Sequence, residues 1–266
     1  MRVGVLGAGL AGLTAGCELA ELGHEVTLIE RRPWAGGKTY SFADDSGHQV
    51  DNGQHVFMAC TTEYIAFLRR LGTLNLTRRQ KRVRVPVFDR DGRRSSIVAR
   101  NLPAPLHLAR SLLGFRALSL IERVRLLPVL STVAGMSAAD REALPDQSFA
   151  EWLAARGQSA GVIDRFWDFL VLPTLNCRSG QASVRDALFL LQEAFLASPT
   201  SSAVGLSAVG LSDLHVTPAV RYIEERGGRL VTGERIRRFE FEGDLVSGVV
   251  TDEASFTFDA YVCALP

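Results

Sequence analysis

Val3-Gly4-Val5-Leu6-Gly7-Ala8-Gly9-Leu10-Ala11-Gly12 opens the chain, and Glu30 closes a second apolar run soon after it. The order predicts a strand over 2–6, a turn built on Gly7, Gly9 and Gly12, and a helix over 11–22. A break at Gly23 and a second strand over 25–29, ending on Glu30, complete the unit. Each part has a physical role in a dinucleotide-binding βαβ unit. Gly7 permits the tight turn, and Gly9 lacks the Cβ that would hold a pyrophosphate off the backbone. Gly12 lets helix and strand pack closely. The helix N-terminus offers unpaired N–H groups and the positive end of its dipole to phosphates. Glu30 stands where a carboxylate accepts hydrogen bonds from ribose hydroxyls.

The residues that follow bear on which dinucleotide. Arg31-Arg32-Pro33-Trp34-Ala35-Gly36-Gly37-Lys38 is succeeded by Asp51-Asn52-Gly53-Gln54-His55. A glutamate followed by a short loop into Gly-Gly-Lys resembles the flavoprotein fold shared by amine oxidases and carotenoid desaturases. In that fold the Gly-Gly-Lys segment runs along the flavin diphosphate, so the resemblance implies FAD. NAD-binding βαβ units carry no such extension.

At 266 residues the chain is long enough for one large domain or two. Hydrophobic residues make up 47% and the net charge is +1, a globular composition with no global electrostatic partner. Lys38 and Lys81 are the only lysines, so a Schiff-base lysine has few candidates. Cys17, Cys60, Cys177 and Cys263 form no CxxC pair, which suits a reducing cytosol better than a disulfide framework. The five histidines make no zinc pattern, and no metal site is expected. No signal peptide is recognisable and no apolar stretch is long and charge-free enough to span a bilayer. The expected location is the cytoplasm, with peripheral contact on the inner face of the membrane as an option.

Further along, Thr61-Thr62 precedes a helix with Ile65, Leu68 and Leu71 on one face, stopped by Gly72. Residues 83–98 alternate as a hairpin turning at Asp91-Gly92. The basic tract 78–84 at the start of the hairpin reads either as an anion patch or as a charge-guarded strand edge. It has no interleaved aromatics, and nucleic acid is not expected as a partner.

Residues 102–135 are dense in Leu, Val, Phe and Ile, punctuated by Arg110, Arg116, Arg123 and Arg125. Two readings fit: a basic amphipathic element on a membrane interface, or a pair of buried helices whose arginines snorkel to the surface. Ser148-Phe149-Ala150-Glu151 is a capping box. Ser159 starts a helix running toward Pro173, another fits 182–196, and Thr217-Pro218 reads as an N-cap with proline at the first helical position. From Arg229 the pattern turns to short strands, including 236–241. The expected fold is α/β: a Rossmann-like FAD-binding domain over 1–85 and 216–266, with an inserted, mostly helical substrate domain over 86–215.

Asp51-Asn52-Gly53-Gln54-His55-Val56-Phe57 resembles the Asp-x-Gly-x-His-x-Phe segment of ζ-carotene-desaturase-like flavoproteins. Leu102-Pro103-Ala104-Pro105-Leu106-His107-Leu108, Glu151-Trp152-Leu153, Phe166-Trp167 and Leu175-Asn176 are similar to the corresponding stretches of bacterial hydroxysqualene dehydroxylases, a branch of the carotenoid desaturase and flavin amine oxidase superfamily. The resemblance implies a reduced flavin that removes the allylic hydroxyl of hydroxysqualene, giving squalene for hopanoid synthesis. The cofactor residues it implies are Gly7, Ala8, Gly9, Leu10, Ala11, Gly12, Glu30, Arg31, Gly36, Gly37, Lys38, Gly53, Gln54, His55 and Ile236. Ile236 matches the strand residue whose backbone meets the adenine. Asp51 and His55 are the candidates for supplying a proton to the leaving hydroxyl. The expected partner is a small-molecule isoprenoid, and no specific protein partner is inferred. The family continues beyond its Val-x-Ala-x-Pro strand, here Val262–Pro266, with a second flavin-binding Gly-Asp motif, so the chain is expected to be C-terminally truncated. The competing expectations are a carotenoid desaturase, a flavin amine oxidase, and an inactive fragment.

Overall fold

The computed structural model describes residues 1–53, 55–89 and 91–266. The chain forms two compact units, one of Met1–Val56, Thr62–Arg78 and Leu206–Pro266, the other of Phe57–Thr61 and Arg79–Gly205. The boundaries expected at 85/86 and 215/216 therefore stand beside observed ones near 78 and 206. The hairpin strand Arg84–Phe88 lies in the second unit. Leu211 and Leu214 are buried against Leu68 in the first.

The first unit is organised by a four-stranded parallel sheet in the order Arg229–Thr232, β2 (Glu25–Glu30), β1 (Arg2–Leu6), Ala260–Cys263. Alternation along the strands decides which side chains face which layer. Val5, Val26 and Leu28 point to one cluster, shared with Leu13, Cys17 and Ala20 of α1 (Leu10–Glu21) and with Ala219 and Ile223 of the helix Thr217–Glu224. Leu6 and Ile29 point to the other, where Val249 of an antiparallel meander covers them. The meander runs Arg238–Glu242, Leu245–Val250, Ser255–Phe256. The sheet is thus sandwiched between helices and a β-layer. A hairpin of β3 (Ser41–Ala43) and β4 (Gln49–Asp51) and the helix α2 (Thr62–Arg70) complete this unit.

Two local readings change. Ile236 lies in the irregular segment before its strand, which begins at Arg238. Thr217 is inside a helix rather than capping it, because a wide turn over Ser212–Val216 precedes it without a break. Pro218 has no N–H to return to the preceding turn, and buried Leu214 and Val216 hold that turn in place.

The second unit is helical, with the expected hairpin formed by Arg84–Phe88 and Arg94–Val98, Arg84 opposite Val98 and Phe88 opposite Arg94. Its helices include α3 (Ala109–Leu113) and α4 (Leu120–Gly135). Serine side chains cap four of them: Ser119–Glu122, Ser137–Asp140 and Ser148–Glu151 form capping boxes, and Ser159 caps through Val162 N–H. Trp152, Trp167, Phe149, Phe115 and Phe166 form its core, several in edge-to-face contact. Among the described residues, no helix is long and apolar enough to cross a membrane.

Candidate functional site

Backbone hydrogen bonds tie down both ends of the turn between β1 and α1. Gly7 N–H donates to the Ile29 carbonyl at 2.8 Å, and Leu13 N–H closes the first turn of α1 on Gly9. A Cβ at Gly12 would sit 1.9 Å from the Gly7 carbonyl oxygen, so α1 reaches this depth only with glycine there. A Cβ at Gly9 would meet nothing within 4 Å. The backbone of Gly9 therefore borders open space beside the N-terminus of a twelve-residue helix that has no side-chain cap and no acid in its first turn. Those are the conditions under which a diphosphate finds unpaired N–H groups and a favourable dipole.

Glu30 is buried beside that turn. Its Oε2 accepts from Ala8 N–H at 3.0 Å and its Oε1 from Arg32 N–H at 2.9 Å. Each carboxylate oxygen can accept more than one hydrogen bond, so the acid locks the loops on both sides of it and keeps capacity for ribose hydroxyls. Glu234 donates its N–H to the Glu30 carbonyl, and its side-chain Oε2 is buried without a hydrogen-bond partner. Nothing in the spacing of the sequence singles out Glu234. Arg31 is exposed, and Ile236 is half-buried against the meander cluster.

The Gly-Gly-Lys segment is laid directly along the first turn. Gly36 N–H donates to the Ala8 carbonyl at 2.7 Å, and Gly9 and Gly36 form a parallel bridge. Gly36 adopts φ +111°, a conformation that side chains avoid. Trp34 stacks on Tyr40 at 4.9 Å between centroids, flanking the loop. His55 Nε2 lies 3.2 Å from the Lys38 carbonyl, and Asn52 N–H donates to Tyr40. Thus the β3–β4 hairpin brings Asp51, Asn52 and His55 back against 38–41, and Gly53 is exposed in that loop. Gln54 lies outside the described residues. The open Gly9 backbone, the uncapped α1 N-terminus and the clasped Glu30 together fit an FAD diphosphate and ribose.

The two proton-donor candidates part company. Asp51 Oδ1 accepts from Ser41 Oγ at 2.7 Å and from Leu211 N–H at 2.8 Å, while Ser41 and Ser212 exchange two backbone-to-hydroxyl bonds of 2.8 Å. Asp51 is a brace between the hairpin and the start of the Ser212–Val216 turn. His55 is exposed, and its Nδ1 has no protein partner among the described residues.

Below the hairpin, His215 is buried, with Nδ1 3.1 Å from the Leu211 carbonyl and Nε2 2.6 Å from the Tyr64 hydroxyl Oη. That geometry suits a neutral ring donating from Nδ1 and accepting from Tyr64. Burial lowers the His215 pKa from its ordinary 6.5 to about 4, and raises that of Tyr64 to about 12. The unfolded chain therefore takes up a proton at His215 near pH 6.5, where the folded one does not. Stability from this site is complete above pH 6.5 and falls as pH drops toward 4, by on the order of 3 kcal/mol. Urea unfolding at pH 7.5 and pH 4.5 should show this loss, and His215→Gln should flatten it. An unchanged pH slope in the variant would mean that other groups carry the acid lability.

In the second unit a cavity of about 530 Å³ opens among α3, α4 and the segments 163–170 and 191–196. Leu112, Phe115, Leu130, Phe166, Leu191 and Phe195 are among its walls. Among the described residues, Ser111 and Ser131 supply its only polar side chains and no charged residue lines it. The sequence flagged these residues only as apolar, because wall and core side chains have the same composition.

A profile of the family described as "Flavin containing amine oxidoreductase" matches residues 10–266. Zeta-carotene desaturase of Zea mays is 30% identical over 285 residues, covering 99% of this chain and 49% of the relative. That of Synechocystis is 27% identical, covering 99% and 57%. The 15-cis-phytoene desaturase of Solanum lycopersicum is 26% identical, covering 100% and 46%. The chain spans about half the length of the curated relatives it matches. Among solved structures, putrescine oxidase with putrescine bound aligns with TM-score 0.70 at 19% identity, covering 100% of this chain and 58% of its own. An oxidoreductase from Methanosarcina mazei aligns at 0.68 and 20%, covering 99% and 58%. Rab GDI of Plasmodium falciparum aligns at 0.60 and 16%, covering 98% and 64%. At these identities the likeness is one of fold.

Proposed function

Because the chain belongs to the flavin containing amine oxidoreductase family, we propose that it acts as an FAD-dependent oxidoreductase on a long-chain isoprenoid. The observation that carries the substrate class is the second unit's cavity, with apolar walls and no charged side chain among the described residues. A hydrocarbon chain needs no polar partner when it leaves water, whereas an ammonium group buried without one is strongly penalised. The cavity's volume falls within the range of small-molecule sites. The relatives named for carotene and phytoene desaturation support an isoprenoid over an amine.

Bound FAD would supply or accept the hydride equivalent. Gly7–Gly12 and the α1 N-terminus would hold its diphosphate, Glu30 its ribose, and the Gly36–Lys38 strip the chain leading onward. Within this reading the reaction is reductive removal of an allylic hydroxyl, as the motifs shared with hydroxysqualene dehydroxylases suggest. His55 would supply the proton that the departing hydroxyl requires, and Asp51 would position the loop that carries His55. Carotene desaturation is the second reading, favoured by the curated relatives. The test uses the protein expressed from its reading frame to the stop codon, incubated with hydroxysqualene under reducing conditions and with phytoene or ζ-carotene under oxidising ones. Squalene as the product is expected. A longer polyene instead would favour the second reading, and turnover of putrescine alone would overturn the isoprenoid class.

A further inference from the structure

Three neighbouring strands end side by side on one edge of the first unit's sheet. β1 ends at Leu6, β2 at Glu30, and the next strand at Thr232, which lies in register with Glu30. Ligands of parallel sheets lie outside these carboxyl ends. The end of β1 carries the Gly7–Gly12 turn for a diphosphate, and the end of β2 carries Glu30 for a ribose. A ribose joins its phosphate at C5′ and its base at C1′, on opposite sides of the ring. Neighbouring strands are about 4.8 Å apart. A dinucleotide laid from the turn to Glu30 therefore carries its base onward, over the end of the strand Arg229–Thr232.

The loop at that end is Gly233-Glu234. Gly233 N–H donates to the Arg32 carbonyl and Glu234 N–H to the Glu30 carbonyl, each at 3.0 Å. The loop backbone is thus clipped to the residues around the ribose acid. Thr232 and Gly233 are exposed, and a Cβ at Gly233 would meet nothing within 4 Å. Open space borders the loop, as it borders Gly9. Glu234 is half-buried, and its Oε2 is shut off from water with no hydrogen-bond partner. In the first unit it is the one buried side-chain nitrogen or oxygen left so among the described residues. An acceptor in that state has lost its water without a replacement, which makes it costly to keep. A carboxylate accepts and does not donate, so the missing partner is a donor. Glu30 already serves the ribose hydroxyls. On the base, the exocyclic amine of adenine is the donor, while N7 is an acceptor.

We propose that the Glu234 carboxylate receives the exocyclic amine of adenine and makes the site selective for an aminopurine dinucleotide. The half-buried side chain turns about its soft terminal torsion to bring an oxygen to the amine. This assignment rests on the diphosphate and ribose positions proposed above, and adds the base end, which neither the glycine turn nor Glu30 reaches.

The test is a binding titration on the protein expressed from its reading frame to the stop codon and freed of flavin. The probes are FAD and its analogue with hypoxanthine in place of adenine. Hypoxanthine carries a carbonyl oxygen where adenine carries the amine. The wild type should therefore bind the analogue about tenfold more weakly, the worth of one hydrogen bond to a charged acceptor. Glu234→Ala should erase that difference, mainly through lost FAD affinity. Glu234→Gln, whose amide can donate to the carbonyl, should bind the analogue better than the wild type does. Glu30→Ala should instead weaken FAD and the analogue alike. The flavin-free Glu234→Ala protein should melt no lower than the wild type, because the variant removes an acceptor that had no partner. Equal affinity of the wild type for the two probes would overturn the proposal and leave the diphosphate and ribose positions standing. An equal loss of both probes in Glu234→Ala would also overturn it, by placing the carboxylate on the ribose. A lowered melting temperature with the preference for FAD intact would overturn it in favour of a structural role. A wild type that binds neither probe would remove the cradle and the proposal together.

Discussion

Glu30→Ala is expected to weaken FAD binding by a hundredfold or more in direct titration of flavin fluorescence. Two ribose hydroxyls would lose a charged acceptor, and hydrogen bonds to a charged group are worth roughly 1.5–3 kcal/mol each. The structure adds a second loss, because the carboxylate also accepts from Ala8 N–H and Arg32 N–H at 3.0 and 2.9 Å. With alanine both donors lie in a site where Glu30 itself is buried, so the turn and the loop after β2 lose their common anchor. Glu30→Gln separates the contributions. Its one carbonyl oxygen can keep one of these bonds without the charge, and an intermediate affinity is expected. Wild-type affinity in Glu30→Ala would show that the acid does not face the ribose.

Gly12→Ala is expected to damage folding and flavin binding together. The added methyl would lie 1.9 Å from the Gly7 carbonyl oxygen and 3.0 Å from its carbon. Both are backbone atoms, so no side chain can rotate away and α1 must retreat from β1. Overpacking of this kind costs about 1–3 kcal/mol, and a backbone clash this deep belongs at the upper end. For a domain of this size each kcal/mol lowers the melting temperature by roughly 2–4 °C. The retreat also withdraws the uncapped N–H groups of α1 from the position a diphosphate would occupy. A calorimetric scan and a flavin titration should move together. Gly9→Ala is the contrast, since its methyl meets no protein atom within 4 Å. Its melting temperature should stay near wild type while FAD affinity falls, because only the ligand would contest that space.

The nucleotide cradle was legible in the sequence because its determinants are local. Glycine at three positions, apolar alternation on either side and an acid at the end of the second strand lie within thirty residues. Their consequences, a tight turn and a close helix–strand approach, follow from backbone sterics alone. The same holds for the capping box at Ser148, where one serine and one glutamate three residues on satisfy each other.

The rest of the site depends on contacts that sequence spacing does not encode. Asp51 and His55 sit four residues apart in one motif, yet one carboxylate is engaged by Leu211, 160 positions away, while the imidazole remains exposed. His215 is set low in pKa by burial and meets a tyrosine 151 positions distant, neither of which its neighbours in the chain announce. Arg123 and Arg110 look alike in a run of leucines. One is consumed by backbone carbonyls and the other left facing a groove, because only the fold decides which carbonyls come within reach. What the sequence by itself determined is the dinucleotide-type βαβ unit and the family it resembles, through short-range sterics and periodicity. What only the tertiary structure decided is which polar groups are satisfied and which are left to meet a ligand, since burial and long-range hydrogen bonding exist only once the chain has closed on itself.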